Sequence, residues 1–300
     1  MMTLGLDLGG TKIAAAVVED GRILTSRQAG TPQVGFEAVL SAMSELAAAL
    51  LRQHPEVTRV GVGSPGPLDL ARGVILFAPN IAGMENAPLV AGLRQRLKLP
   101  VLLENDANAA GYAEHLYGAA RDLTSSIYVT ISTGIGGGIF VAETVLHGAH
   151  GSAGEVGHMT LSPGGPLCGC GHRGCWESLA SGRAIAREGS FSYGEALTTR
   201  EVFARAQDGD GKAVKIVDSA ADFTGLGIAN LLKAFDPDGF VIGGGMSQVG
   251  PFYLDRIRTA LERYTEGFPT VDLRLAELGT DAGVIGAASV AARAAEGELL

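Results

Sequence analysis

The 300-residue chain places its only three cysteines, Cys168, Cys170 and Cys175, within eight positions. They sit in GHMTLSPGGPLCGCGHRGCWE, the run Gly157–Glu177, together with His158 and His172. An odd thiol count cannot pair internally in full, and Cys168 and Cys170 are too close for an unstrained bridge. Three thiolates converging on one point suit Zn²⁺, which takes four ligands in a structural site. His172 lies between two of the thiols and would be cramped. His158, ten residues before Cys168, closes a larger loop and is the preferred fourth ligand. A redox pair is the alternative, but Cys-X-X-Cys spacing is absent. Inert buried thiols would be the plainest reading, yet Gly169, Gly171 and Gly174 suit a sharply turned metal knuckle better than a core strand. Glu155 and Glu177 bracket the loop, so a structural zinc would fix two acids in place.

A second kind of chemistry is written in glycine. Asp7-Leu8-Gly9-Gly10-Thr11-Lys12 puts a carboxylate at a strand end beside bare backbone. Glycines let main-chain N–H groups approach a phosphate as an anion-binding nest, and Thr11 adds a hydroxyl. Asp7 would repel phosphate directly but can hold Mg²⁺ or its waters. The spacing is not that of a Walker A loop. On its own the stretch reads equally as a tight hairpin. Ser132-Thr133-Gly134-Ile135-Gly136-Gly137-Gly138 repeats the device, and Gly243-Gly244-Gly245 offers a flat backbone surface for an adenine ring.

Glu104-Asn105-Asp106-Ala107-Asn108 joins a buried strand to a helix, with four polar side chains expected to face a cleft. Asp106 could accept the proton of a hydroxyl attacking a phosphoryl group, or could serve only as the helix cap. Asn80, Asn105, Glu155 and Glu177 supply the directional donors and acceptors that a polyol requires.

The elements that must position these residues follow from periodicity. Strand, glycine turn and strand are predicted from Leu4 to Val18, with a third strand over Arg22–Gln28. A helix over 35–53, a strand over 57–63, a helix over 88–97, a strand over 100–104 and a helix over 105–117 follow. Strand, turn and strand recur over 127–141. Helices near 192–207 and 211–235, a strand at 239–242, a helix at 251–264, a strand at 271–276 and a helix at 282–295 complete the pattern. This is an α/β arrangement in which a βββαβα-type module is used twice, with a ligand cleft expected between the copies.

Bulk properties agree. Net charge is −9, which argues against nucleic-acid binding through a broad basic face. No basic start followed by an apolar run marks a signal, and no stretch approaches the ~18 apolar residues of a membrane span, so a cytoplasmic location is expected. The 44 glycines are roughly twice the average share and sit in short clusters between apolar runs, as turns do.

Taken together, Asp7-X-Gly9-Gly10-Thr11-Lys12, Glu104-Asn105-Asp106-Ala107-Asn108, Gly134-X-Gly136-Gly137-Gly138, Glu155-X-X-His158 and Cys168-X-Cys170-Gly171-X-X-Gly174-Cys175-X-Glu177 resemble the ROK family (repressors, open reading frames, kinases) across almost the whole chain. The resemblance implies the actin-like ATPase fold of sugar kinases and Hsp70, and ATP-dependent phosphorylation of a hexose 6-hydroxyl. It implies Asp106 as general base, and Asn80, Asn105, Glu155, His158 and Glu177 as sugar contacts. His158, Cys168, Cys170 and Cys175 would hold zinc, the histidine giving one ring nitrogen to the metal and the other to a sugar hydroxyl. Gly10, Thr11, Lys12, Thr133 and Gly134 would face phosphate, and Gly244 the nucleotide. Domains are expected at 1–118, joined by the last helix 283–300, and at 119–282 with the zinc loop at 155–177.

The subgroup most similar is glucokinase, from Cys175-Trp176-Glu177-Ser178-Leu179-Ala180-Ser181-Gly182 and Arg183–Arg187. Other hexoses or N-acetylhexosamines are the alternatives. A sugar-responsive repressor would carry an N-terminal DNA-binding segment, for which a phosphate turn at Asp7 leaves no room. Family members are usually homodimers or homotetramers. Two departures stand out: Met84 follows Gly83 where many members carry tryptophan, and Trp176 precedes Glu177 where an aliphatic residue is commoner.

Overall fold

The alternating apolar residues of the first segment pair as a hairpin ladder. β1 (Met2–Leu8) runs antiparallel to β2 (Lys12–Glu19), with Leu8 opposite Ile13, and β2 to β3 (Arg22–Gly30). The structure is a computed structural model describing residues 1–78, 80–142 and 144–294. It divides into two units, the first comprising Met1–Asp122, Gly138–Ala153 and the segment from Leu278 onward.

After β3 come α1 (Phe36–Leu51) and β4 (Val60–Ser64), which is parallel to β1. A small antiparallel sheet, β5 (Leu68–Asp69), β6 (Val74–Phe77) and β7 (Glu85–Ala87), occupies a stretch with no predicted element. Then follow α2 (Leu89–Leu97), β8 (Val101–Asn105), parallel to β4, and α3 (Asp106–Tyr117). The main sheet has the order β3-β2-β1-β4-β8. The chain enters the second unit for β9 (Ser125–Ile131) and the start of β10 (Ile135–Val141), and β11 (Thr144–Val145) pairs with the end of β10 in the first unit. The second unit resumes with α4 (Trp176–Ala180), α5 (Gly182–Tyr193), α6 (Thr199–Gln207), α7 (Gly211–Phe235), β12 (Gly239–Gly243), α8 (Pro251–Tyr264) and β13 (Asp272–Leu275). In this unit β9 stands between β10 and β12, and β12 is parallel to both β9 and β13. The chain returns to the first unit for α9 (Ala282–Arg293). Residue 295, and the predicted domain's end at 295–300, lie outside the described residues.

Alternation decides which side of the first sheet each residue covers. Ala15 and Val17 of β2 join the core with Leu4, Leu6, Val62 and the buried stripe Val39, Met43, Ala47 and Leu50 of α1. Ala16 and Val18 point the other way, toward Ala113 of α3 and Val284, Ile285 and Ala288 of α9. Backbones approach so closely on that side that a Cβ at Gly61 would overlap the Ala287 carbonyl, and one at Gly286 the Ala109 carbonyl. Met84, in place of tryptophan, is 2% exposed and packs in the first core with Ile81. Trp176 is fully buried in the second unit, against Gly227 of α7.

The helix expected near 192–207 starts only at Thr199, and α5 before it is a helix with no sequence expectation. α5 stops where Gly194 turns left-handed, φ +70°, and α6 starts afresh at a capping box in which Thr198 and Glu201 bond reciprocally. No helix among the described residues is long and apolar enough to cross a membrane.

Candidate active site

Asp7 ends β1 and Asp106 begins α3 directly after β8, with β4 between the two strands. Gly63 of β4 is the spacer: a Cβ there would lie 3.7 Å from Asp7 Oδ1 and 3.8 Å from Asp106 Cα. Burial, then the charge of Asp106, pushes the Asp7 carboxyl up to about 6, against the pull of Lys12. A buried carboxylate beside a second one is a place where a cation is favoured, which suits Mg²⁺.

The first glycine turn is tied from behind by its carbonyls. The Thr31 hydroxyl donates to Gly9 O at 2.7 Å and Gln33 Nε2 to Gly10 O at 2.9 Å, while Gly9 N–H reaches Lys12 O at 2.9 Å. With their carbonyls held back, the Gly10 and Thr11 amides meet no protein acceptor among the described residues. Exposed Asn80 lies over this turn, so that a Cβ on Gly10 would come 3.2 Å from its Cβ.

Asn105 caps α3: its side-chain oxygen accepts from the N–H groups of Ala107 and Asn108 at 2.9 and 3.2 Å, and Asp106 Oδ1 also accepts the Ala107 N–H, at 2.8 Å. Two of the four polar residues expected to face a cleft turn inward instead. Glu104 and Asn108 are 2% and 3% exposed. The reason is a local network: Glu104 Oε1 accepts from Asn105 N–H and from Asn108 Nδ2, each at 2.9 Å, and Oε2 lies 2.7 Å from His147 Nε2. Nothing in the sequence pairs His147 with Glu104, 43 residues away.

In the second unit, one ligand atom from each of His158, Cys168, Cys170 and Cys175 lies within 4.8 Å of the others. Cys170 and Cys175 sulfurs are 3.6 Å apart, and tetrahedral zinc with bonds of about 2.3 Å sets sulfurs about 3.8 Å apart. The donor set therefore fits structural zinc. His158 sets Nδ1 3.6 Å from Cys168 Sγ and Nε2 3.9 Å from Glu155 Oε2. His172 Nδ1 lies 3.6 Å from Cys170 Sγ, its carbonyl accepts the Cys168 N–H at 2.8 Å, and its ring is not among the converging ligand atoms. Burial, then hydrogen bonding by Cys170, pushes the Cys175 thiol up to about 12, so its thiolate needs a cation to form.

Glu177 links this loop to the second glycine turn. Its Oε2 accepts the Ile135 N–H at 3.0 Å, and the carboxylate packs where a Cβ on Gly134 would stand. Gly136 lies within β10. The carbonyls of Ser132 and Thr133 accept the Gly182 and Arg183 amides at the start of α5, at 2.8 and 3.4 Å. A cavity of about 810 Å³ opens beside them, with Ser132, Thr133, Arg183, Phe203, Gly245 and Met246 on its walls. That size and mixed lining suit a nucleotide. Gly244 does not line it. With φ +78° it lies against Ile131 O and the Thr130 hydroxyl, and Gly245 carries the exposed backbone. Arg183, Phe203 and Met246 come from segments whose convergence no local pattern announces.

The model of the ROK family matches residues 3–294. The chain belongs to the ROK family. Among solved structures, a ROK hexokinase from Thermus thermophilus is 46% identical and superimposes with a TM-score of 0.93, over 99% of this chain and 100% of that one. A ROK family glucokinase from Streptomyces griseus, solved in complex with glucose and AMPPNP, is 38% identical with a TM-score of 0.87, over 98% and 100%. An N-acetylmannosamine kinase from Haemophilus influenzae is 36% identical over 96% of this chain and 94% of its own. The fold is accordingly the actin-like ATPase fold of ROK kinases, as the sequence resemblance implied.

Proposed function

We propose that the protein transfers the γ-phosphoryl group of ATP to the 6-hydroxyl of a hexose, with glucose as the preferred acceptor. The observation that carries this reading is the pair Asp7 and Asp106 on either side of Gly63, one carboxylate beside a phosphate-binding turn and the other opening a helix.

Asp106 takes the hydroxyl proton as the sugar oxygen forms its bond to the γ-phosphorus. The bond from that phosphorus to the β,γ-bridging oxygen breaks, ADP leaves, and the proton passes from Asp106 to solvent. Asn80, Asn105, Glu155, His158 and Glu177 hold the sugar hydroxyls. The Gly9–Lys12 and Thr133–Gly136 turns receive the phosphates, and the cavity by Gly245 takes the base. Asp7 holds Mg²⁺, which when bound neutralises charge on the phosphate oxygens. Zinc at His158, Cys168, Cys170 and Cys175 is structural, fixing Glu155 and Glu177.

The test is ATP-dependent 6-phosphate formation over glucose, mannose, fructose, N-acetylglucosamine and N-acetylmannosamine. Highest kcat/KM on glucose is expected. A higher value on N-acetylmannosamine, the substrate named for the Haemophilus relative, would reassign the sugar. Turnover of none would end the kinase reading.

A further inference from the structure

Glu104 is a charged group with almost no exposure, and the proposed chemistry gives it no direct part. A buried carboxylate is costly unless paired and hydrogen-bonded. Here every oxygen is used: Oε1 by the Asn105 N–H and the Asn108 amide, Oε2 by the His147 ring. The two residues held by Oε1 frame the first turn of α3, and Asp106 lies between them. The Asn105 side chain then caps the same turn. The Asn108 carbonyl oxygen itself is buried and meets no donor among the described residues. Turning the amide over would set that oxygen against the Glu104 carboxylate.

His147 is the partner of Oε2. It reaches Glu104 from the segment after β11, and its hydrogen bond to Glu104 raises its own pKa above the usual imidazole value. The ring is 19% exposed on one side, where it borders a cavity of about 840 Å³ that Asp69, Glu104 and His150 also line. These are the titratable groups that share the cavity with it.

Resting on the kinase reading, we propose that His147 is a positioning residue for Asp106. Acting through the Glu104 carboxylate, it holds the Asn105–Asn108 turn so that the Asp106 side chain is aimed for proton transfer. Without the imidazole, Glu104 Oε2 is left buried without its partner, and the carboxylate turns toward water or another donor. Either change releases Asn105 N–H and Asn108 from Oε1, and misaims the base by a fraction of an ångström or more.

The experiment compares His147→Ala, Glu104→Gln and the double variant with wild type. In His147→Ala, kcat is expected to fall about 10–100-fold, the scale of a small misplacement of a reacting group. Glucose Kd from calorimetry is expected to rise by less than kcat falls, because only Asn105 among the assigned sugar contacts lies in the released turn. The double variant should be no slower than the slower single one, as for residues acting in one network. Exogenous imidazole should enter from the 840 Å³ cavity and restore a large part of kcat in His147→Ala. It should have no effect on Glu104→Gln. His147→Gln, which keeps one donor, should retain more activity than alanine and remains a readable variant if alanine does not fold. Wild-type kcat in His147→Ala, additive losses in the double variant, or losses that neither imidazole nor glutamine recovers would each overturn the proposal while leaving the kinase reading intact. A wild-type protein inactive on every hexose would overturn both.

Discussion

Glu177 Oε2 accepts the backbone N–H of Ile135 at 3.0 Å, which joins the cysteine loop to the second glycine turn through one carboxylate. The same side chain is assigned to the sugar, so its loss is expected to damage two ligands. Glu177→Ala should raise KM for both hexose and ATP about tenfold, whereas Glu177→Gln, whose carbonyl can still accept from Ile135, should raise KM mainly for the hexose. Steady-state kinetics varying each substrate separates the two.

Zinc should be present at about one ion per chain by elemental analysis of protein never exposed to chelator. Removing it should lower the thermal midpoint by several degrees and weaken sugar binding, because Cys175 is followed directly by buried Trp176 and then Glu177. Cys175→Ser should reproduce the effect. His172→Ala should not, since the ligand atoms that converge are those of His158 and the three cysteines.

Asp106→Asn keeps the shape of the first turn of α3 and removes the proton acceptor. Its kcat should drop by at least about 10²-fold, within the range of general-base losses, with glucose Kd nearly unchanged. Single-turnover phosphoryl transfer and calorimetry measure the two quantities.

Asp7 makes a prediction about pH. Its carboxyl is raised from the ordinary aspartate value of 3.8 to about 6, chiefly by burial. A raised carboxyl stabilises the fold below pH 3.8 and loses that contribution as pH climbs through 6, so at neutral pH the ionised group is a burden. Asp7→Asn should therefore raise stability at pH 7.5 by about 2–3 kcal/mol, seen by urea unfolding, while abolishing turnover. Below pH 6 the wild-type rate should decline as Asp7 protonates and Mg²⁺ binding weakens.

The repeated strand, glycine turn and strand, the long helix Gly211–Phe235 and the cysteine knuckle were legible because each is encoded in contiguous residues. Apolar alternation and closely spaced thiols needed no partner elsewhere. What stayed hidden depends on distance along the chain. The Glu104–His147 pair brings together residues 43 apart, and the inward turn of Asn108 follows from it. The β5–β7 sheet is made of strands of two to four residues, too short for a period to register. The left-handed turn at Gly194 ends α5 and delays the next helix to Thr199, and one glycine among 44 does not announce it. Gly244 and Gly245 are chemically identical, and only the packing against Ile131 and Thr130 tells which one faces the cavity.

The placement of α9 bears on how the chain is made. Its residues Val284, Ile285 and Ala288 fill the layer behind β2 and α3, and its backbone lies directly on Gly61 of β4. Until α9 is made, that side of the first sheet is covered by α3 without the α9 residues that pack beside it. The strands and helices of the second unit all precede residue 278, so they are synthesised before α9. The earliest-made sheet thus waits for one of the last-made helices to complete its packing.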